Sequence, residues 1–109
     1  MQFVVIAQDQ KDPDAINRRM ACRQDHIDTI DAYKAKGYML MGVALLDDNQ
    51  QMAGSVIVCD FPDRTALDAW LKIEPYVVNN VWGDIQIHDA KVGSDGDRVA
   101  RRPKRSEER

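Results

Sequence analysis

The chain has 109 residues, which is enough for one domain and too few for two. An apolar fraction of 44% and a charged fraction of 30% are typical of globular proteins, and no apolar run approaches the roughly 18 residues of a membrane span, so we expect no membrane association. Residues 98–109 hold six Lys/Arg and two Glu, a net charge of +4. Because the whole chain has a net charge of −3, residues 1–97 carry −7. Such an acidic body argues against nucleic acid as the main partner.

This charge division also suggests the domain boundary. Residues 1–97 are predicted to form one folded domain, and residues 98–109 a basic, disordered tail, because the tail offers almost nothing to bury. A weak electrostatic contact of the tail with nucleic acid, or with the acidic surface of a partner, is the alternative; it predicts binding that depends steeply on salt and is lost without the tail.

The first residues indicate the compartment. Residues 2–8 are apolar and no basic segment precedes them, so they are predicted to form a strand and not a signal peptide. Cys22 and Cys59 have neither metal-ligand nor redox spacing, and two isolated thiols fit a reducing cytosol as buried apolar side chains. We therefore expect a cytoplasmic protein.

The first helix is predicted to follow this strand and to end near Lys36. Asp12 is placed to cap the helix, Pro13 to occupy its first position, and Gly37 to stop it. On a helical wheel, four apolar residues fall within an arc of about 80° and predict the core-facing stripe. They are Ile16, Met20, Ile27 and Ile30.

The rest of the chain completes a pattern of two strand–helix–strand halves. In chain order we predict a strand over 38–46, a hairpin loop over 47–51, a strand over 54–61, a helix over 64–72 capped by Pro62-Asp63, a turn over 77–80 and a strand over 81–92. The order β-α-β-β-α-β predicts an α+β fold of ferredoxin-like topology, with both helices on one face of a four-stranded antiparallel sheet.

The other face of this sheet would be apolar and uncovered. The strand segments 2–8, 38–46 and 55–61 are apolar at nearly every position. A bare face of that size exceeds what monomers tolerate. We therefore expect a homodimer in which two sheets pack face to face and form a dimeric α/β barrel.

Three polar residues of the first helix are candidates for a site. Arg19, Arg23 and His26 lie within an arc of about 60° that borders the apolar stripe. Buried charges need partners, which the second helix or the turn after it could supply as Asp or Glu. The alternative is that all three are half-exposed, with their stems packed and their polar ends in water.

Glu74 is the leading candidate for such a carboxylate. Pro75 fixes a bend directly after the second helix and holds Glu74 in an extended conformation. A carboxylate on a rigid turn can orient an imidazole, because the tautomer is set by what the other ring nitrogen contacts. An ordinary helix-ending turn is the alternative.

Other common sites are not indicated by the sequence. Asp47, Asp48 and Asn49 lack the Gly and the terminal Glu of a calcium loop, and His88 is predicted to lie on the surface. The sequence contains no glycine-rich phosphate loop, no Gly-x-Ser-x-Gly elbow and no His/Cys metal pair. We expect neither a metal nor another cofactor.

Four segments together resemble the YCII-related family over about residues 1–92. They are 3–7 (FVVIA), 19–27 (RMACRQDHI), 52–55 (MAGS) and 74–77 (EPYV). The resemblance implies the ferredoxin-like dimeric barrel and a His–Asp dyad in a cleft, here His26 and position 74, where this chain has Glu74 in place of the aspartate. It also implies that Ser55 supplies a hydroxyl to the same cleft.

The predicted function combines these residues. His26 and Glu74 would form a general acid/base pair without a cofactor, and Arg19 or Arg23 would hold an anionic oxygen. Such a site suits a lyase or isomerase acting on a small cyclic or carbonyl compound, and the resemblance points to dehydrochlorination of a chlorinated hydroxyquinone-type substrate. The alternative is a non-catalytic dimeric module that binds a small molecule.

Overall fold

Four strands and three helices make up the computed structural model, which describes residues 1–93. In chain order they are β1 (Gln2–Asp9), α1 (Ala15–Ala35), β2 (Met39–Leu46), β3 (Met52–Asp60), α2 (Arg64–Ile73), α3 (Pro75–Val78) and β4 (Trp82–Ala90). The strands lie in the order β2-β3-β1-β4, and every neighbouring pair is antiparallel. The predicted α+β class and ferredoxin-like topology are thus confirmed. The predicted tail over 98–109 lies outside the described residues.

The helices cover one face of the sheet. Along β1, Phe3, Val5 and Ala7 are buried, whereas Val4 and Ile6 on the opposite face are partly exposed, as the two-residue period of a strand requires. The core is completed mainly by apolar side chains from the neighbouring strands and from α2. These are Met39, Ile57, Cys59, Phe61, Leu67, Trp70, Val81 and Trp82.

The start of α1 differs from the prediction. The helix begins at Ala15, with Asp14 at the N-cap position, so Pro13 is not its first residue. Asp12 does not cap it: its carboxylate accepts the backbone N–H of Asp14 at 3.2 Å and pairs with Arg18 at 2.7 Å. The helix ends as predicted, because Gly37 adopts the left-handed conformation with φ = 83°.

The buried face of α1 also differs from the predicted apolar stripe. Met20 is 53% exposed, and Ile16, Ile27 and Ile30 are only partly buried. The buried positions are Ala15, Arg19 and Cys22. The prediction was wrong because it treated Arg19 as a residue at the edge of the core, whereas a carboxylate from β1 neutralises its charge inside the protein.

The connection after α2 contains the expected break, followed by a short helix where a turn over 77–80 was expected. Asp63 caps α2 as predicted, by accepting the N–H of Ala66 at 2.9 Å. Glu74 then ends α2 and caps α3, since its side chain accepts the N–H of Tyr76 at 3.2 Å and Pro75 occupies the first helical position. The predicted break after α2 is therefore present, since the backbone of Glu74 is extended as expected, with φ = −64° and ψ = 122°, and the turn that follows is helical.

Two further predictions concern side-chain exposure and helix length. Cys22 and Cys59 are buried free thiols and His88 is exposed, as expected. Burial raises the pKa of the Cys59 thiol to about 11. Within residues 1–93, no helix is both long enough and apolar enough to cross a membrane.

Candidate functional site

A cleft of about 260 Å³ lies between α1 and the strands β2 and β3. Gly42 and Ala44 of β2 pair with Ile57 and Ser55 of β3 and share their helix-facing side of the sheet. Because Gly42 and Ala44 have almost no side chain, the space between β2 and α1 is left unfilled. Polar groups that line this cleft are Arg19, Arg23, His26, Asp31, Lys34, Ser55 and Tyr76.

Arg19 is the most completely fixed of these groups. It is 2% exposed, and its Nη1 donates to both carboxylate oxygens of Asp9, at 2.8 and 3.1 Å. Its Nη2 donates to the carbonyl of Gly54 at 3.0 Å and to Ser55 Oγ at 2.9 Å. Burial raises the pKa of the Asp9 carboxyl, more than the neighbouring guanidinium lowers it. Arg19 thus connects α1 to the end of β1 and to the beginning of β3.

The expected partner of Arg19 was wrong, whereas that of His26 was correct. A carboxylate from α2 or from the turn after it was predicted, but Arg19 pairs with Asp9 at the end of β1. His26 does pair with the turn after α2, where its Nδ1 contacts Glu74 Oε1. The side chains are 13% and 0% exposed, respectively. The two positions of the implied dyad are therefore in hydrogen-bonding contact.

The longer side chain of Glu74 is accommodated by folding back over its own helix. The same Oε1 that contacts His26 also accepts the backbone N–H of Tyr76, two residues further on. Capping α3 in this way draws the carboxylate back towards the backbone and takes up the extra methylene. The contact with His26 therefore forms although the chain has Glu where the resemblance implies Asp.

The tautomer of His26 follows from this contact. An ionised carboxylate is an acceptor only, so Nδ1 carries the hydrogen and donates it to Glu74. Nε2 then holds a lone pair, and it has no hydrogen-bond partner within residues 1–93, while the His26 side chain lines the cleft. The ring nitrogen left available is thus the one suited to accept a proton from a bound molecule.

Tyr76 holds the His26 ring from the side. The two rings stack with their centroids 4.0 Å apart and their planes 15° apart, and the guanidinium carbon of Arg19 lies 4.5 Å from the centroid of the Tyr76 ring. Trp82 lies nearly perpendicular to both rings, with its centroid 6.2 Å from that of His26 and 5.8 Å from that of Tyr76. Burial raises the pKa of the Tyr76 phenol, which keeps it neutral. The imidazole is therefore fixed by an aromatic stack as well as by Glu74.

Ser55 lies in the wall of the cleft, 3% exposed. Its Oγ accepts hydrogen bonds from Arg19 at 2.9 Å and from the indole of Trp82 at 3.2 Å. Both lone pairs are thus occupied, so the hydroxyl can offer only its hydrogen to a ligand.

Arg23 has a different environment from Arg19. It is half-buried and lines the cleft, and it forms no ion pair with any residue in the range 1–93. Since Asp9 already neutralises Arg19, the cations that the cleft can offer to a ligand are Arg23, which is half-buried, and Lys34, which is exposed; the exposed Asp31 adds a carboxylate to the same lining. The alternative of three half-exposed polar residues therefore describes Arg23 but not Arg19.

Sequence reasoning missed Asp9, and it noted Tyr76 only as part of the turn. The sequence contained a signal for Asp9. Every second residue of β1 faces the core, and Asp9 is the only charged residue in that series, after three apolar ones.

No metal site is indicated by the structure. In the described part of the chain, no group of three or more His, Cys, Asp or Glu side chains is arranged to hold a metal ion.

Comparisons with known proteins agree with this fold. The sequence profile of the YCII-related domain matches residues 1–91. An uncharacterised protein of Haemophilus influenzae is 28% identical over 97 residues, covering 84% of this chain and 97% of its own length. Protein YciI of Escherichia coli O6:H1 is 26% identical with the same coverage.

Two solved structures are similar in fold. One is a 5-chloro-2-hydroxyhydroquinone dehydrochlorinase from Burkholderia phenoliruptrix in complex with 2,5-dihydroxybenzoquinone. It has a TM-score of 0.74 and 17% identity, covering 85% of this chain and 96% of its own. The other is Rv0793 from Mycobacterium tuberculosis, with a TM-score of 0.52 and 17% identity, covering 86% and 99%. At such identities the likeness concerns the fold.

Proposed function

The chain belongs to the YCII-related domain family, and we propose that its cleft is an acid/base site for elimination or isomerisation of a small cyclic or carbonyl compound. The observation that carries this proposal is the contact of His26 Nδ1 with the fully buried Glu74. It leaves the opposite ring nitrogen available in a cleft that also contains Arg23. The proposed reaction needs proton transfer and charge stabilisation, which these side chains can supply.

The proposed roles follow from the geometry. His26 Nε2 removes a proton from a carbon next to a carbonyl or enol group, and Glu74 stabilises the imidazolium that forms. Arg23 binds the oxygen on which negative charge develops. In an elimination, the electrons of the broken C–H bond form the new double bond and chloride leaves with the electrons of the C–Cl bond. In an isomerisation, the imidazolium returns the proton to another carbon.

The dehydrochlorinase with the similar fold supports this class of substrate. Its bound 2,5-dihydroxybenzoquinone is a small ring carrying ionisable oxygens. Arg23 and the apolar walls of the present cleft are suited to a compound of that kind.

The direct test is turnover of a panel of chlorinated hydroxyquinols and small unsaturated lactones. Chloride release and ultraviolet absorbance would report elimination and isomerisation, respectively. We expect His26→Asn to lower kcat by about 10²–10⁴-fold, the usual contribution of general acid/base catalysis. Lys72→Asn, which changes an exposed side chain of α2 far from the uncovered sheet face, is the control and should retain full activity.

Two results would contradict the proposal. Unchanged kcat in His26→Asn would place the chemistry elsewhere. Saturable binding of these compounds without any turnover would favour the non-catalytic binding module.

We also propose that the uncovered sheet face mediates a homodimer. On this face Met41 and Val43 are 59% and 48% exposed, and Val56 and Val58 beside them are partly exposed. A second copy of the same face would cover this apolar surface. Sedimentation should show a dimer that Val56→Lys dissociates, whereas Ala69→Lys on the exposed side of α2 should leave it intact; a wild-type monomer would exclude this arrangement.

A further inference from the structure

We propose that the cleft selects flat anions of a single ring, with Arg23 as the charge selector and with Gly42 and Ala44 as the size selectors. This inference concerns the same cleft as the proposed function and specifies its ligand. It depends on which cation remains available and on what forms the two walls of the cleft.

The charge requirement follows from the different environments of the two arginines. Arg19 is held by Asp9, and both of its terminal nitrogens are engaged inside the protein. Arg23, one helical turn further along the same face of α1, has no ion-pair partner among residues 1–93 and borders the cleft. Lys34 and Asp31 also line the cleft, but both are exposed and screened by water, so Arg23 is its half-buried cation without a protein counter-charge. A ligand with a negatively charged oxygen would pair with Arg23, whereas a neutral ligand would leave this half-buried cation unpaired.

The shape requirement follows from the walls. On one side Ile27 and Ile30 project from successive turns of α1, and on the other Gly42 and Ala44 form part of the surface of β2. Apolar side chains thus face an almost bare stretch of strand. A flat ring can lie along that stretch, because only hydrogen or a methyl group stands between it and the backbone.

The size limit follows from the volume. A cleft of about 260 Å³ is below the range of roughly 300–1,000 Å³ that is typical of sites for drug-sized molecules. It therefore suits one ring with short substituents. A ring bound by its anionic oxygen at Arg23 lies close to His26, which is one turn away on α1.

The test is a binding experiment with three defined probes: benzoate, its neutral analogue benzamide, and the two-ring anion 2-naphthoate. Binding would be followed by shifts of the Trp82 indole and the Arg23 side-chain signals in ¹H–¹⁵N NMR spectra. We expect benzoate to bind at millimolar concentration or below. Benzamide should bind at least about tenfold more weakly because it lacks the charge that strengthens a hydrogen bond to Arg23, and 2-naphthoate at least about tenfold more weakly because its second ring exceeds the space between the walls.

Variants separate the two selectors. Arg23→Gln should weaken benzoate binding about tenfold without changing that of benzamide, whereas Arg64→Gln on exposed α2 should change neither. Ala44→Leu should abolish binding of both probes, and Ala69→Leu on α2 is its control. Gly42→Ala is the milder variant: its new methyl group would contact only Ile57, at 3.4 Å, so the fold should persist while ring binding weakens.

Three outcomes would overturn the inference: equal affinity for benzoate and benzamide, equal affinity for benzoate and 2-naphthoate, or no benzoate binding at millimolar concentration. Its failure is distinguishable from failure of the proposed function, because binding needs no turnover. His26→Asn should retain benzoate binding, so binding without turnover contradicts only the proposed chemistry. Turnover of neutral or two-ring compounds through His26 contradicts only the inference on selectivity.

Discussion

Two residues of α1, seven positions apart, each pair with a buried carboxylate, and the two pairs have different surroundings. In the pair of Arg19 with Asp9, both terminal nitrogens of the guanidinium donate to protein oxygens, and both side chains are nearly inaccessible. In the pair of His26 with Glu74, the carboxylate is completely buried, but the imidazole keeps one nitrogen without a partner at the edge of the cleft.

The Arg19–Asp9 pair therefore has a structural role, whereas the His26–Glu74 pair can also take part in proton transfer. Arg19 is fully engaged at its terminal nitrogens, so it connects α1 to two strands and has little left for a ligand. His26 is held by Glu74 and by the ring of Tyr76, yet its remaining nitrogen can exchange a proton. The candidate site therefore consists of a rigid frame around Arg19 and a reactive group around His26.

The largest expected effect comes from breaking the frame. Arg19→Met leaves the carboxylate of Asp9 buried without a counter-charge, which typically costs about 3–5 kcal/mol. Removing the guanidinium also lets burial raise the pKa of Asp9 further. When folding raises the pKa of a carboxyl group, the group stabilises the protein at a pH below its ordinary pKa, 3.8 for Asp9. That contribution is lost as the pH rises through the pKa of the folded state. The destabilisation measured by urea unfolding should therefore be larger at pH 7 than at pH 3.5.

The neighbouring arginine provides the matched control. Arg18 forms an exposed pair with Asp12, so Arg18→Met should change the midpoint of unfolding little. The double variant Arg19→Met/Asp9→Leu should recover most of the lost stability, because it removes both buried charges together. An Arg19→Met protein as stable as wild type would mean that the pair does not hold the frame together.

This frame shows how far the sequence predicts the fold. The order of strands and helices was correct, because strand periodicity, the cap at Asp63 and the stop at Gly37 are local signals. The buried face of α1 was wrong, because helical spacing alone does not reveal that Asp9 supplies a charge to bury Arg19. Burial of a charged residue depends on its partner in space, and no single segment of sequence contains that information.

A smaller effect would test the reactive pair. At pH 8 we expect His26 to carry its hydrogen on Nδ1, and Glu74→Asp, which shortens the side chain but keeps the carboxylate, to preserve this tautomer. In Glu74→Gln the amide can also donate, so the hydrogen should move partly to Nε2 and occupy the nitrogen that would act as the base. Long-range ¹H–¹⁵N NMR spectra distinguish the tautomers.

The other histidine gives an internal reference in the same spectra. His88 lies exposed on β4, away from Glu74, and its signals should not respond to any change at position 74. His26→Asn assigns the remaining signals. A mixture of both tautomers already present in the wild-type protein would contradict the proposed role of Glu74.

The site was predictable in part, for a related reason. His26 and Glu74 could be paired from a resemblance in sequence, but the way in which Glu74 reaches His26 depends on its capping of α3. The resemblance implied a cleft, but the residues that leave the space for it were not predicted. Gly42 and Ala44 are unremarkable within an apolar strand, and only the register with β3 shows that both face the helix side. Small residues leave space only in relation to what lies opposite them.

The smallest expected effect concerns Asp12, the exposed counterpart of Asp9. Its hydrogen bonds with Arg18 lower its pKa from 3.8 to about 2. When folding lowers the pKa of a carboxyl group, the group stabilises the protein at a pH above its ordinary pKa. That contribution is lost as the pH falls through the pKa of the folded state. The stability of the wild-type protein relative to Asp12→Asn should therefore decline as the pH falls from about 4 to 2, a pH dependence opposite in sign to that of Asp9. Urea unfolding across this range measures the difference, with Asp48→Asn in the exposed hairpin loop as the control. If the curves of unfolding free energy against pH are parallel for wild type and Asp12→Asn, the exposed pair of Asp12 with Arg18 contributes nothing to folding. Of the two aspartates that pair with arginines of α1, only the buried Asp9 would then affect stability.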